Sequence, residues 1–125
     1  MRLRAILVAA ALTWPVSVGL AAGIDLSKTY GDEMGCINRD GQEVAVDFML
    51  LVNKTAVVTA AGVCEVSKIK SNKNGTLTLT TFCESEGQMS EVPTGFVIAR
   101  DKANKKGLLV TDEEGNLFGK VSVCP

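Results

Sequence analysis

Between Val63 and Cys83, apolar or β-branched residues alternate with polar ones along two arms, Val63 to Lys70 and Thr76 to Cys83, separated by the polar run Ser71-Asn-Lys-Asn-Gly75. Side chains two apart share a face of a strand, so this alternation around an Asn-Gly turn predicts a β-hairpin. Folding it about residues 73 and 74 sets Cys64 nearly opposite Cys83. The pattern recurs on a shorter scale. Residues 44 to 52, Val-Ala-Val-Asp-Phe-Met-Leu-Leu-Val, then Asn53-Lys54 and Thr55-Ala-Val-Val-Thr59 predict two strands of a second hairpin. Periodicity alone leaves helix open there, and the β-branched content favours strand. Met89 to Arg100 predicts one strand or two short ones, interrupted at Pro93-Thr94-Gly95, since a proline belongs at an edge or a bulge. Leu108 to Thr111 and Leu117 to Cys124 are the last strands, set off by the charged turns 101 to 107 and 112 to 116. Gly23 to Asp40 is turn-rich and predicts an extended lead-in, with at most one short strand or a single helical turn near Leu26 to Tyr30.

Short strands with turn signals at intervals of about eight to twelve residues are the pattern of an antiparallel sandwich or barrel. The expected fold class is all-β, a small antiparallel meander of about seven strands closing into a barrel or sandwich, with disulfides as staples.

The N-terminal segment does not belong to that pattern. Arg2 and Arg4 precede the apolar run Ala5 to Leu12, and Gly19, Ala21, Ala22 and Gly23 supply small residues for a cleavage site, the layout of a secretory signal peptide. Residues 1–22 are therefore expected to be removed, leaving 23–125 as a single β domain in the periplasm. The apolar core is short and interrupted by Pro15, and Cys36 lies too far downstream to carry a lipid, so no direct membrane insertion is expected after cleavage. Two of the 13 basic residues leave with this segment, so 11 remain against 14 acidic ones. That balance disfavours nucleic acid or an anionic membrane as partner.

Cys36, Cys64, Cys83 and Cys124 form an even set in an exported chain, which predicts two disulfides. Hairpin geometry slightly favours Cys64–Cys83 with Cys36–Cys124. Directly opposed cross-strand bonds are geometrically demanding, so Cys36–Cys64 with Cys83–Cys124 stays open. No cysteine pair has zinc-ligand spacing, and the chain has no histidine.

Lack of histidine also removes the usual general base and the Ser-His and Cys-His nucleophile pairs. Glu84 with Glu86, and Asp112-Glu113-Glu114, are neighbours on polar turns rather than carboxylates facing across a cleft, and they read as solvated loops. Asp112 to Asn116 lacks the spacing of a calcium loop, and Gly115 fits a tight hairpin turn. No metal site, cofactor or catalytic residue is expected, and the chain is read as not an enzyme. Asn53-Lys-Thr55 and Asn74-Gly-Thr76 match the glycosylation pattern, but neither is assigned a glycan.

Two basic groups remain, Lys68, Lys70 and Lys73 on the central hairpin and Arg100, Lys102, Lys105 and Lys106 at the turn after the strand that contains Pro93. With the acidic loop Glu84 to Glu91 they make a two-sign surface suited to a protein partner. Lys70, Lys73, Arg100, Lys102 and Lys105 are the expected contact residues. The few aromatics left in the mature chain argue for a packed interior rather than an aromatic-lined pocket.

Tyr30-Gly31, Gly35-Cys36, Met49-Leu50-Leu51, Cys64-Glu65-Val66, Cys83 with Glu86-Gly87, then Asp112, Gly115, Gly119 and Cys124 together resemble small four-cysteine exported proteins of alphaproteobacteria. That resemblance covers most of the mature chain and implies a compartment and a β-rich fold, without an active site. In size and location the chain is also similar to periplasmic lysozyme inhibitors and to small periplasmic proteins that restrain a histidine kinase sensor domain. The first expectation is a non-enzymatic periplasmic protein-binding module that regulates an envelope sensor, with a periplasmic or membrane protein as partner. An inhibitor of a hydrolase such as lysozyme is the second, and a carrier of a small apolar ligand the third.

Overall fold

The structure, a computed structural model, describes residues 23–39 and 46–125. The expected signal peptide, and Val44 and Ala45 of the expected strand, lie outside the described residues. The described elements are β1 (Tyr30–Gly31), α1 (Glu33–Arg39), β2 (Leu50–Val52), β3 (Ala56–Thr59), β4 (Gly62–Ser71), β5 (Leu77–Ser85), β6 (Gln88–Met89), β7 (Thr94–Arg100), β8 (Gly107–Asp112) and β9 (Leu117–Val123). All pairings are antiparallel. The order β4-β3-β2-β1-β9-β8-β7-β5 returns on itself because β4 also pairs with β5, so eight strands close a barrel. Strand β6 hangs from the end of β5 as a flap outside the ring, through Glu84↔Met89 and Ser85↔Gln88. Closure leaves the wall no free edge. The meander and its closure match the expectation, with nine strands in place of about seven.

Alternation along the strands fills the interior. Leu50, Val52, Val57, Leu79, Ile98 and Val110 are fully inaccessible, as is Thr81, whose hydroxyl donates to the Thr94 carbonyl at 2.8 Å. That bond satisfies the one buried polar side chain among the core residues and adds to the β5–β7 ladder at its Thr81↔Thr94 end.

Two bulges decide which side chains face where. On β4 the register steps from Val66↔Thr81 to Lys68↔Thr80, leaving Ser67 unpaired with its hydroxyl on the Thr80 carbonyl at 3.1 Å. One extra residue inverts the alternation. Gly62, Cys64 and Val66 lie on the inward side before it, and after it Ile69 is the residue paired with buried Leu79, though at this end of β4 it stays 42% exposed. Lys68 and Lys70 therefore stay outside on an unbroken strand. On β9 the pairing steps from Val110↔Gly119 to Thr111↔Leu117, and the extra residue is Phe118.

The lead-in departs from expectation. The one short strand allowed there is present as β1, and the helix lies not at Leu26 to Tyr30 but just after β1, as the two-turn α1. Asp32 starts it, its carboxylate accepting the Gly35 N–H at 2.6 Å and the Leu50 N–H at 3.1 Å, so one side chain caps α1 and fixes β2 beside it. Gly35 is required by packing, since a Cβ there would lie 2.1 Å from the Leu50 carbonyl oxygen. Residues 46 to 49 are irregular, and the strand begins only at Leu50.

The disulfides are Cys64–Cys83, across the directly opposed pair of β4 and β5, and Cys36–Cys124, which fastens α1 to the segment after β9. Gly31 makes room for the second, its α-carbon passing where a Cβ would meet both sulfurs. Two disulfides are consistent with an oxidising extracellular compartment. Among the described residues, no helix is long and apolar enough to cross a membrane.

Candidate functional site: two oppositely charged mouths

Among the described residues, the strand directions sort the strand-to-strand connections other than the α1 segment to one of two mouths. One mouth carries residues 23–29 and the β2–β3, β4–β5 and β7–β8 connections, and the other carries 46–49 and the β3–β4, β5–β7 and β8–β9 connections. Charge follows the same division. Lys73 at the β4–β5 tip and Lys102 and Lys105 in the β7–β8 loop fall at the first mouth, joined by Lys28, Lys54 and Lys106, against the carboxylates Asp25 and Asp101. Lys70 is exposed on the outer face of β4, one residue from the same tip. Thus the hairpin cluster and the turn cluster, separate in sequence, are brought to one end by β5, which pairs with β4 on one side and β7 on the other.

Asx turns hold these loops. Asn53 Oδ1 accepts from the Thr55 N–H and hydroxyl at 2.9 and 2.7 Å, and Asn74 Oδ1 does the same with Thr76 at 3.2 and 2.7 Å. The Asn-x-Thr spacing that resembles a glycosylation signal therefore has a backbone explanation, because a side-chain oxygen two residues back mimics a turn. Asp25 repeats the motif with Ser27, at 3.0 Å to the N–H and 2.5 Å to the hydroxyl. Those bonds, with a smaller contribution from Lys28 and Lys54, hold the Asp25 carboxyl below the ordinary carboxylate range.

Arg100 has a second role that its sequence position does not reveal. Its guanidinium donates to the Gly23 carbonyl, pinning the first of the described residues at the mouth. It belongs to the site by position and to the fold by contact. Beneath it lies an open hollow of about 380 Å³, lined by Lys28, Arg100, Lys105 and Lys106 over Tyr30, Leu108 and Val123. Burial, then the Asp25 charge, raises the Tyr30 phenol above its ordinary pKa, and Arg100 opposes them. The hollow is a cationic cup with an apolar floor, a lining whose charge is complementary to a carboxylate. Lys28 and Lys54 were not foreseen as members. Closure through β1–β9 brings Lys28 beside the β7–β8 loop, while Lys54 lies against residues 24–27 at the same mouth, and a local pattern carries no sign of either.

The fold and the site define a disulfide-closed, eight-stranded meander barrel with a basic and an acidic mouth. No protein-family model, no curated protein and no solved structure matches this chain.

Proposed function

We propose that this chain is a non-enzymatic protein-binding module of the periplasm, working by docking its basic mouth on an acidic surface of a periplasmic or membrane protein. Regulation by restraint of an envelope sensor is the form of it preferred here. The observation that carries the reading is the cationic hollow, in which Lys28, Arg100, Lys105 and Lys106 converge from two distant parts of the chain over an apolar floor. A partner's Asp or Glu seated there would meet several cations in a partly desolvated recess, where a charged contact is stronger than on an open surface. Carriage of an apolar ligand has no comparable support, because the barrel axis is filled by the side chains of Leu50, Val52, Val57, Leu79, Ile98 and Val110.

The test is crosslinked capture from an envelope extract by the oxidised protein and by a Lys28→Glu, Lys102→Glu, Lys105→Glu variant. Arg100 is left alone because it anchors Gly23. The expected result is one dominant partner, lost in the variant while its melting temperature is kept. Capture of the same partner by both proteins would refute the basic-mouth assignment.

A further inference from the structure

The opposite mouth has its own chemistry. Residues 46–49, 60–61, 84–93 and 112–118 contain no lysine or arginine. They contain Asp47, Glu84, Glu86 and Glu91, with Asp112, Glu113 and Glu114 in the β8–β9 turn. Acidic loops alone would be a solvated rim, but this rim surrounds exposed aromatic surface. The β9 bulge lifts Phe118 out of the strand alternation and over the mouth, where it is 38% exposed. Its ring sits edge-on to buried Phe96 at 5.7 Å between centroids and tilted against Phe48 at 6.1 Å, and Phe48 is 49% exposed. The irregular stretch before β2 thus leads an aromatic ring onto the mouth instead of into the core. Val92, on the β5–β7 connection, is 71% exposed, and Leu117, the first residue of β9, is 55% exposed.

Beside Phe118 is a recess of about 240 Å³ whose walls include Phe96, the Cys64–Cys83 bond and Gly62, with Glu84 at its lip. That is below the range of about 300–1,000 Å³ of small-molecule sites and suits a single large side chain. Gly62 is held in a backbone conformation open to glycine, at φ 148°, and a Cβ there would strike the Glu84 carbonyl oxygen at 2.6 Å.

From this combination we infer that the acidic mouth is a second docking surface, whose occupant is a cationic polypeptide segment inserting one large apolar side chain beside Phe118. The aromatic recess supplies burial, and seven carboxylates on loops that carry no Lys or Arg of their own call for an inserted residue flanked by Lys or Arg. An anionic ligand is repelled, and a neutral apolar one leaves the carboxylates partly desolvated without a partner. A second copy of this chain offers its basic mouth, but that end is itself concave and presents a hollow where a protruding knob is needed. The two mouths make the barrel a two-ended adaptor, with the second end independent of the first.

The experiment uses the oxidised protein and three fluorescein-labelled synthetic peptides read by fluorescence polarisation. One alternates lysine with a central tryptophan, one replaces that tryptophan with glycine, and one replaces the lysines with glutamate. The first is expected to bind at least about tenfold more tightly than the other two, the scale set by burying one aromatic side chain. Phe118→Ser and Phe48→Ser should each weaken it, and so should the triple variant Glu84→Lys, Glu91→Lys, Glu114→Lys. Lys105→Glu with Lys106→Glu at the far mouth should leave it unchanged. Equal binding of the glycine peptide, insensitivity to both Phe variants, or no binding at all would overturn the inference. Sedimentation showing self-association of the wild type that these same variants abolish would assign the surface to a second copy instead.

Discussion

Removal of the two disulfides one at a time separates their contributions sharply. Cys36–Cys124 spans 88 residues and Cys64–Cys83 spans 19, the smaller loop lying inside the larger. If each bond acts by restricting the unfolded chain, loss of the long one costs ~4.6 kcal/mol and loss of the short one ~3.2 kcal/mol at 25 °C. With the inner bond intact the outer loop is effectively about 70 residues, which lowers the first figure only to ~4.4 kcal/mol because the dependence is logarithmic. A described domain of this size has a total stability on the order of 5–15 kcal/mol, so Cys36→Ala with Cys124→Ala should leave a marginal fold. The assay is urea unfolding of each double-alanine variant under non-reducing conditions with linear extrapolation, and the expected order places the outer variant about 1 kcal/mol below the inner. The native side works against that order, since Cys64 is only 6% exposed within the core and its truncation leaves a small void. An inner variant clearly less stable than the outer would therefore refute the chain-entropy reasoning and show that packing around Cys64 dominates.

Three further outcomes follow from individual residues. Glu86 holds a left-handed backbone, φ 52°, beside Gly87 in the β5–β6 turn, so Glu86→Gly should raise stability by about 0.5–1 kcal/mol in the same urea assay. Tyr30 is the chain's sole tyrosine, and its raised pKa means that the native state keeps its phenolic proton after the unfolded state has lost it. Stability is thus fully present below pH 10.0 and falls as the pH rises through the higher native value, and tyrosinate absorbance should appear later in native than in urea-unfolded protein. Asp112 is lowered chiefly by the Asn116 N–H, with Asn116 Nδ2 and the Glu114 and Gly115 N–H groups adding to it. Its contribution is therefore present above pH 3.8 and lost as the pH falls through the lower native value, so the melting difference between Asp112→Ala and wild type should narrow in acid.

The central hairpin was legible because everything it needs is local. Alternation sets the strands, and Asn72, Asn74 and Gly75 set the turn, with Gly75 N–H on the Asn72 carbonyl at 3.1 Å and φ 86°. The Asp112–Gly115 turn repeats that geometry, at 3.1 Å and φ 88°. Helix α1 was not legible, because seven residues with an internal glycine have little helical tendency. Asp32 and the Cys36–Cys124 bond fix it from outside. Residues 46–49 read as strand by composition, yet Phe48 leaves the strand pattern to meet Phe118, a residue placed by a bulge that no alternation announces. The basic clusters were visible as charge, while the hollow they line was not, since Lys28 joins them only through the barrel's closure.

That closure rests on the shortest wall strand. Tyr30 and Gly31 alone bridge β2 to β9, through Val52 and Leu51 on one side and Val123 and Ser122 on the other. Elsewhere around the ring, neighbours are consecutive strands or, for β5 and β7, separated only by the β6 flap. Contact order is therefore low everywhere except at this one seam, which joins the two ends of the domain's sequence. Hairpins of this kind assemble quickly from local contacts, and the seam bears the entropy of a ring closure that runs from Tyr30 to Val123. An outer disulfide formed before folding would turn that distant contact into a near one, so oxidising conditions would also hasten the step that makes the sheet a barrel.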